Sequence, residues 1–250
     1  MNAGPAHIEV RDLTMAYGDH VVQSGVSFSV KAGDVFVIMG GNGCGKTTLM
    51  RALIGLQRPS AGTVRYEGED FWAVAREDRE RMKRRLGIMF QGGALWSSLT
   101  LAENVALPLA EYTDLPPARI AEVVSFKLAL VGLAGFEEFY PSELSGGMKK
   151  RAGLARAMAL DPDTLIIDEP SSGLDPLTAR RLDDLILALR DSLGATIVVI
   201  SHDLASILAI GSDSIFLDAD THTMIPTGNP REALLHGDPK VRHFLTRGGA

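Results

Sequence analysis

Residues 40–47 constrain the fold of this chain more than any other part of its sequence. They read Gly-Gly-Asn-Gly-Cys-Gly-Lys-Thr, follow the apolar run Val35–Met39, and precede residues 49–53, which have a helical pattern. In such a strand–loop–helix setting, the glycines let successive backbone N–H groups turn inward and form an anion-binding concavity. The helix adds the positive end of its dipole. The segment therefore predicts a phosphate-binding loop in an α/β fold.

The same motif, G-x-x-x-x-G-K-[ST], gives roles to individual side chains. Lys46 is expected to reach the β- and γ-phosphates of a bound nucleotide, and the Thr47 hydroxyl is expected to ligate Mg²⁺. Cys44 is the one cysteine of the sequence and is expected to be a small filler without a nucleophilic role. The predicted nucleotide-binding residues of the loop are Gly40, Gly41, Asn42, Gly43, Cys44, Gly45, Lys46, Thr47 and Thr48.

Short apolar runs alternate with helical patterns along the chain, which is typical of an α/β protein with a largely parallel sheet. Continuous Val- and Ile-rich runs predict central strands covered on both faces, at Val35–Met39 and at residues 87–90, 164–167 and 196–200. Between the last two runs, an amphipathic helix is predicted with an apolar face made of Leu182, Leu185, Ile186, Leu189 and Leu193. Its charged residues are expected on other faces: Arg180, Arg181, Asp183, Asp184 and Arg190.

Two further parts of the chain are predicted to surround this core. Half-buried antiparallel strands are expected near the N-terminus, at residues 8–10, 26–30 and 63–66. From about residue 101 to residue 160 the strand pattern disappears and helical patterns dominate. We therefore predict a single domain, 1–250. Its P-loop core would span about 1–95 and 161–250 and carry an N-terminal antiparallel β subdomain. A helical subdomain, about 96–160, would be inserted into the core.

Two acidic side chains stand at the end of a predicted strand. Residues 164–167 run directly into Asp168 and Glu169. Near a phosphate-binding loop, Asp168 is placed to hold Mg²⁺ through water, and Glu169 is placed to polarise an attacking water. Alone, such a pair would be weak evidence, because most strand-end carboxylates lie in solvated turns. Together with residues 40–47, the pair predicts nucleotide hydrolysis.

A second anion site is predicted at a different helix N-terminus. Ser145, Gly146 and Gly147 precede a basic helical run, residues 149–151. An ordinary helix cap would explain Ser145 alone, but it would not explain two glycines, which allow the backbone to approach a ligand closely. The first loop already serves one face of a triphosphate. A head-to-tail homodimer is therefore predicted, with each ATP between Lys46 of one copy and Ser145 of the other.

With these motifs in this order, the sequence resembles the nucleotide-binding domains of ABC transporters over nearly its whole length. The resemblance implies that Tyr17 stacks on adenine, that Gln91 is the Q-loop glutamine, and that His202 is the switch histidine. It also makes residues 145–147 the signature motif and residues 172–175 the D-loop, in which Asp175 would connect the two sites of the dimer.

This resemblance implies an ATPase whose cofactors are ATP and Mg²⁺. The implied catalytic residues are Lys46, Glu169 and His202. The implied metal ligands are Thr47, Gln91 and Asp168. Outside the phosphate-binding loop, the implied nucleotide-binding residues are Tyr17, Gln91, Ser145, Gly146, Gly147 and Asp175.

Met148 stands where the signature motif of this family usually ends in Gln. Together with residues 90–95 and 104–109, it resembles the ATPases of MCE-associated lipid transporters, the Mla type. The likeness implies an ATPase that powers phospholipid transport between bacterial membranes, bound peripherally at the cytoplasmic face of the inner membrane. The implied partners are integral-membrane permease subunits, a small regulatory subunit and a periplasmic MCE lipid-binding protein. Met148 puts only a side-chain contact in doubt, because phosphate binding needs the Ser-Gly-Gly backbone and hydroxyl.

Charge and hydropathy argue against other classes of protein. The formal net charge of −6 disfavours a nucleic-acid partner, which normally needs a basic surface. No apolar run reaches the roughly 18 residues that cross a bilayer, so membrane contact is expected through a partner. The first ten residues lack the basic and apolar regions of a secretory signal. Residues 76–85 are basic but interspersed with acids, which predicts a solvated helix face with i,i+4 pairs.

Other functions are open to an ABC-type ATPase besides lipid transport. An ABC protein acting on ribosomes or DNA is disfavoured, because the chain has one ATPase half and no coiled coil. An ATPase that signals across the membrane in cell division, or one that imports another substrate, stays as the alternative.

A docking surface is predicted after Gln91, through about Glu111. Trp96, Leu99 and Leu101 put apolar groups in a polar-flanked loop, which is typical of an interface. This region is expected to receive a cytosolic helix of the permease.

Overall fold

The computed structural model describes residues 6–247. The predictions that concern the first five and the last three residues lie outside the described part of the chain. These predictions are the bounds of the domain at residues 1 and 250, and the absence of secretory-signal features in residues 1–5.

The N-terminal sheet is antiparallel, with the strand order β2-β1-β4-β5. Its strands are β1 (Ile8–Tyr17), β2 (His20–Val30), β4 (Ala61–Tyr66) and β5 (Glu69–Asp70). The three predicted strands are confirmed but are longer than expected. Pairing between β1 and β2 continues to Tyr17 and His20, beyond the alternating apolar residues that the sequence displays.

The second sheet has the strand order β10-β9-β3-β8-β7-β6. Its strands are β3 (Val35–Met39), β6 (Leu86–Met89), β7 (Thr164–Asp168), β8 (Thr196–Ser201), β9 (Asp213–Asp218) and β10 (Thr223–Pro226). The four predicted central strands are present and run parallel. The predicted strand 87–90 is shifted by one residue, because β6 already ends at Met89. Parallel pairing places the loops after β3, β7 and β8 at one edge of the sheet.

Helices cover both faces of this sheet and fill the segment between β6 and β7. They are α1 (Lys46–Leu53), α2 (Arg76–Arg84), α3 (Leu101–Tyr112), α4 (Pro117–Leu130), α5 (Gly146–Ala157), α6 (Pro176–Leu193), α7 (Leu204–Ile210), α8 (Pro230–His236) and α9 (Pro239–Arg247). Several begin at a capping side chain: Thr100 and Glu103 form a capping box at α3, and Asp175 caps α6. The predicted helical segment is confirmed in α3, α4 and α5.

Alternate residues of the central strands point into different layers. Ile166 and Val198 pack with side chains of the N-terminal sheet, whereas Leu165 and Ile197 pack with α3 to α6. Burial on both faces explains why these strands are continuous apolar runs rather than alternating ones. The other end of the sheet, at β3 and β9, packs against α7 and the C-terminal helices through Val37 and Phe216.

Two expectations about α6 are wrong. Asp183, expected on a charged face, is only 3% exposed, and its Oδ2 accepts a hydrogen bond from Ser206 Oγ at 2.9 Å. The reason is that α7 packs against this part of α6. Leu193 was placed on the apolar face, yet it is 47% exposed at the last turn of the helix.

The basic segment forms α2, and its charges are largely solvated as predicted. Its ion pairs are spaced i,i+3 rather than i,i+4, as in Arg81–Asp78 and Lys83–Glu80. Within residues 6–247, no helix combines the length and the apolar character needed to cross a membrane.

Candidate nucleotide-binding site

The loop between β3 and α1 is held tightly against two other strands. A Cβ atom at Gly45, where φ is +98°, would lie 2.7 Å from Val22 Cγ1 on β2. A Cβ atom at Gly40 would lie 2.7 Å from the carbonyl oxygen of Leu217 on β9. Gln23 is fully buried, and its Nε2 donates to the carbonyl oxygens of Cys44 and Asp218 at 2.8 and 2.9 Å. These contacts fix the backbone of the loop.

Lys46 begins α1 and turns back over this loop. Its Nζ donates to the carbonyl oxygens of Gly40 at 2.7 Å and Gly41 at 2.9 Å, and the residue is 8% exposed. Cys44 is 2% exposed beneath the lysine, and burial raises the pKa of its thiol. A buried thiol with a raised pKa is unreactive, which agrees with the filler role expected for Cys44.

The two predicted carboxylates lie at the carboxyl end of β7. Burial first, and the charge of Glu169 second, raise the pKa of Asp168, while Lys46 opposes this shift. Glu169 has a left-handed backbone with φ of 48°, and its Oε1 lies 2.7 Å from Nδ1 of His202. Its Oε2 is buried and has no hydrogen-bond partner among residues 6–247. The glutamate thus presents one oriented, unpartnered oxygen beside the loop.

A pocket of ≈ 450 Å³ brings most of the predicted residues together. Its lining includes the following predicted residues: Tyr17, Asn42, Gly43, Gly45, Lys46, Thr47, Thr48, Gln91, Asp168, Glu169 and His202. The sequence interpretation missed His20 and Val22, which also line it. Their position follows from the pairing of β1 with β2, which no local pattern reveals.

Tyr17 and Gln91 lie at the exposed rim of this pocket. The Tyr17 ring is 49% exposed, and its hydroxyl accepts a hydrogen bond from Arg51 Nη1 at 3.2 Å. Gln91 is exposed at the start of a short 3₁₀ helix, Gln91–Gly93, directly after β6. An exposed aromatic ring and an exposed amide can therefore reach a ligand that enters the pocket.

The second predicted anion site lies elsewhere in the chain. Ser145 and Gly147 line a different cavity, of ≈ 470 Å³, which shares no lining residue with the pocket around Lys46. Ser145 caps α5 by accepting from the backbone N–H of Met148 at 3.3 Å. A Cβ at Gly147 would lie 2.6 Å from Thr178 Cγ2, so packing within the chain also requires this glycine.

Asp175 caps the neighbouring helix α6. Its Oδ1 accepts from the backbone N–H groups of Leu177 and Thr178 at 3.1 and 3.0 Å. Hydrogen bonding, led by Thr178, lowers the pKa of this carboxyl. Neither Asp175 nor Gly146 lines the pocket around Lys46.

The oxygen atoms of this pocket could coordinate a magnesium ion only together with oxygen atoms of a bound nucleotide. Mg²⁺ prefers hard oxygen ligands and commonly combines one or two protein carboxylates with phosphate oxygens and water. Thr47 and Asp168 offer such oxygens in the same pocket. Within the described residues, no group of three or more His, Cys, Asp or Glu side chains could hold a metal ion. The donor set fits a Mg²⁺–nucleotide complex rather than a free metal site.

A largely parallel sheet with a glycine-rich loop, a buried lysine and a strand-end carboxylate defines a P-loop nucleotide-binding protein. The family model described as ABC transporter matches residues 23–172. The chain therefore belongs to the ABC transporter family, and it is an ATP-binding ATPase subunit of that family.

Two relatives and one solved structure place the chain more closely. It is 40% identical over 238 residues to the intermembrane phospholipid transport system ATP-binding protein MlaF of Haemophilus influenzae, covering 95% of this chain and 89% of that protein. It is 40% identical over 239 residues to the probable ribonucleotide transport ATP-binding protein mkl of Mycobacterium tuberculosis, covering 95% of this chain but 66% of that one.

The solved structure is a post-hydrolysis dimer of the ATP-binding cassette MJ0796 bound to ADP and Pi. Its TM-score is 0.78 at 26% identity, over 88% of this chain and 98% of that one. The predicted fold class, an ABC-type P-loop core with an antiparallel sheet, is confirmed.

Proposed function

We propose that this chain hydrolyses ATP to power phospholipid transport between bacterial membranes, through permease subunits that it binds at the cytoplasmic face of the inner membrane. The observation that carries the proposal is the match to MlaF proteins along 95% of the chain. The mkl relative, at the same identity, carries a name that refers to ribonucleotides. Import of another substrate is therefore the second candidate, and signalling across the membrane is the third.

The pocket around Lys46 supports a division of labour in hydrolysis. Lys46 would bind the β- and γ-phosphates, and the Thr47 hydroxyl, Asp168 and Gln91 would hold Mg²⁺, which supplies positive charge against the phosphate oxygens. Glu169 would accept the proton of the attacking water through its unpartnered Oε2, because Oε1 is engaged by His202. His202 would orient the glutamate through its contact with Oε1, and it lines the pocket that would hold the phosphates.

The separate location of Ser145 supports a homodimer in the ATP-bound state. A helix N-terminus that lies outside the Lys46 pocket can serve the same triphosphate only from a second copy. In this arrangement each ATP joins Lys46 of one copy to Ser145, Gly146 and Gly147 of the other, and Asp175 lies between the two sites. With the proposed boundaries near residues 95 and 160, Lys46 lies in the core and Ser145 lies in the helical subdomain. The two halves of each site would therefore come from different parts of the chain.

The predicted permease surface is supported in part and corrected in part. The lining of a groove of ≈ 610 Å³ includes Trp96, Leu107 and Phe90, and Phe90 is next to Gln91 in the sequence. Trp96 is 60% exposed, as an interface residue would be. Leu101, in contrast, is fully buried in the core and Leu99 is half-buried, so neither offers the surface expected of it. A cytosolic permease helix is the proposed occupant of this groove. A regulatory subunit and a periplasmic MCE protein would complete the complex.

Purification of the native complex through this chain tests the function. We expect permease subunits to co-purify together with phospholipid detectable by mass spectrometry. After reconstitution, phospholipid transfer between vesicles should require ATP and stop in the Glu169→Gln variant, which keeps the shape of the side chain but cannot accept a proton.

A complex that hydrolyses ATP without binding or moving phospholipid would contradict the lipid assignment. ATPase activity stimulated by a ribonucleotide cargo would favour the second candidate. Hydrolysis at a near-normal rate in Glu169→Gln would assign the general base elsewhere.

A further inference from the structure

Lys150 on α5 is buried against the catalytic turn, although no pattern in the sequence distinguishes it from its neighbour Lys149. It is 4% exposed. Its Nζ donates to the carbonyl oxygens of Glu169 at 3.0 Å, Pro170 at 2.6 Å and Ser172. All three carbonyls belong to the turn that follows β7.

The ammonium group of Lys150 is therefore satisfied by backbone rather than by an acidic side chain. An ammonium group has three N–H donors, and three carbonyl oxygens use all of them. Burying a charged group without an ionic partner is costly, and burial does lower the pKa of Lys150, although the charge of Glu169 opposes the shift. Ordinary core packing would be served better by an apolar side chain at this position. The cost points to a role for the three bonds.

The turn that Lys150 holds is strained and carries the proposed base. Glu169 adopts φ of 48°, a left-handed conformation that is unfavourable for a residue with a side chain. This backbone conformation sets the direction of the Glu169 carboxylate. It also sets the position at which the segment 172–175 begins. Three hydrogen bonds, to the carbonyl oxygens of Glu169, Pro170 and Ser172, restrict the turn to one conformation.

We propose that Lys150 is a positioning residue for ATP hydrolysis, which holds the turn at residues 169–172 so that Glu169 faces the pocket around Lys46. This inference rests on the proposed role of Glu169. It adds that α5, whose N-terminus carries Ser145, is bonded directly to the backbone of the hydrolytic residue in the same chain. Lys150 touches neither ATP nor water in this assignment and acts through the backbone alone.

The test compares kcat and KM for ATP in full-length variants. In Lys150→Met, kcat should fall about 10- to 100-fold while KM changes by less than about threefold, because the nucleotide-binding residues are untouched and only the base is misaligned. Lys150→Gln, whose amide keeps two N–H donors, should recover part of kcat. Lys149→Met is the matched control, because it removes a lysine from the same helix that has no side-chain hydrogen bond or ion pair among the described residues.

Several outcomes would overturn the proposal. One is a Lys150→Met variant with kcat within about threefold of wild type. Another is a parallel loss of ATP affinity, melting temperature and kcat that Lys150→Gln does not relieve, which would show a purely structural lysine. If Lys150→Met does not fold, the kcat and KM of Lys150→Gln decide by the same criterion. The Glu169→Gln variant is measured in the same assay. Normal hydrolysis in Glu169→Gln would refute the role of Glu169 itself. Loss of hydrolysis in Glu169→Gln together with normal hydrolysis in Lys150→Met would refute only the positioning role of Lys150.

Discussion

The buried carboxyl of Asp183 should destabilise the fold at neutral pH, and removal of its charge should raise stability. Its Oδ2 accepts a hydrogen bond from Ser206, but Oδ1 is buried without a partner among residues 6–247. Burial is the main cause that raises its pKa from 3.8 to about 6, and the hydrogen bond from Ser206 opposes the shift. Since one pKa unit corresponds to about 1.4 kcal/mol, the ionised carboxylate costs up to about 3 kcal/mol.

The sign of the pH dependence follows from the direction of this shift. The pKa is higher in the folded than in the unfolded protein, so the folded state binds the proton more tightly. The stability contributed by protonated Asp183 is fully present below the unfolded pKa, and it is lost as the pH rises through about 6. About 2 kcal/mol of the total should be lost between roughly pH 4.5 and pH 7.5.

The assay is chemical denaturation of wild type and Asp183→Asn at these two pH values. The new amide N–H group needs an acceptor where Oδ1 has none, which costs about 1–2 kcal/mol at both values. We therefore expect a net gain of about 1 kcal/mol in the variant at the higher pH, and a loss of about that size or less at the lower pH. Asp184→Asn is the control, because Asp184 lies one position further on α6 and is solvent-exposed. A wild-type-to-variant difference that is the same at both pH values would refute this account of Asp183.

Three further predictions concern the ATPase cycle. Lys46→Ala should abolish ATP hydrolysis, because the phosphates lose their fixed cation; normal turnover in a steady-state assay would remove the phosphate-loop interpretation. Ser145→Arg and Lys46→Ala chains, each inactive alone, should regain hydrolysis when mixed, because both defects then fall in one site of the mixed dimer. Failure to regain activity although mixed dimers form, as mass spectrometry would show, contradicts the composite site. Trp96→Ala should weaken co-purification of the permease more than ATP binding, with exposed Phe126→Ala as the control; equal loss of both would indicate a core role.

The sequence predicted those parts of the site that depend on short, contiguous segments. Residues 40–47 carry both the strand–helix context and the chemistry of a phosphate site, so neither depended on the rest of the fold. Asp168 and Glu169 could be read in the same way, because a buried strand must end where charged residues begin. Met148 and residues 90–95 pointed to the lipid-transport ATPases without any structural information.

The parts that were missed depend on contacts between distant segments. Gln23 links the Cys44 carbonyl in the loop to the carbonyl of Asp218, which is 195 residues away from Gln23, and no local sequence pattern predicts that bond. Strand β9 begins with the polar residues Asp213 and Ser214, yet Ser214 Oγ forms hydrogen bonds with Thr227 and Gly228, which follow β10. Asp183 is buried only because α7 covers it. In each case a polar residue is buried at a position where the sequence pattern alone predicts exposure to solvent.

Helix α5 contacts both loops that the ATPase cycle has to coordinate. Arg156 donates to the carbonyl oxygens of Gly93 and Ala94, just after Gln91, and it also lines the groove proposed for the permease. Lys150 lies six residues earlier, about 9 Å along the same helix, and holds the turn of Glu169. Gly93 and Gly153 are in such close contact that a Cβ at Gly153 would lie 2.7 Å from the Cα of Gly93. Helix α5 therefore connects the groove to the turn of Glu169 within one subunit through direct contacts.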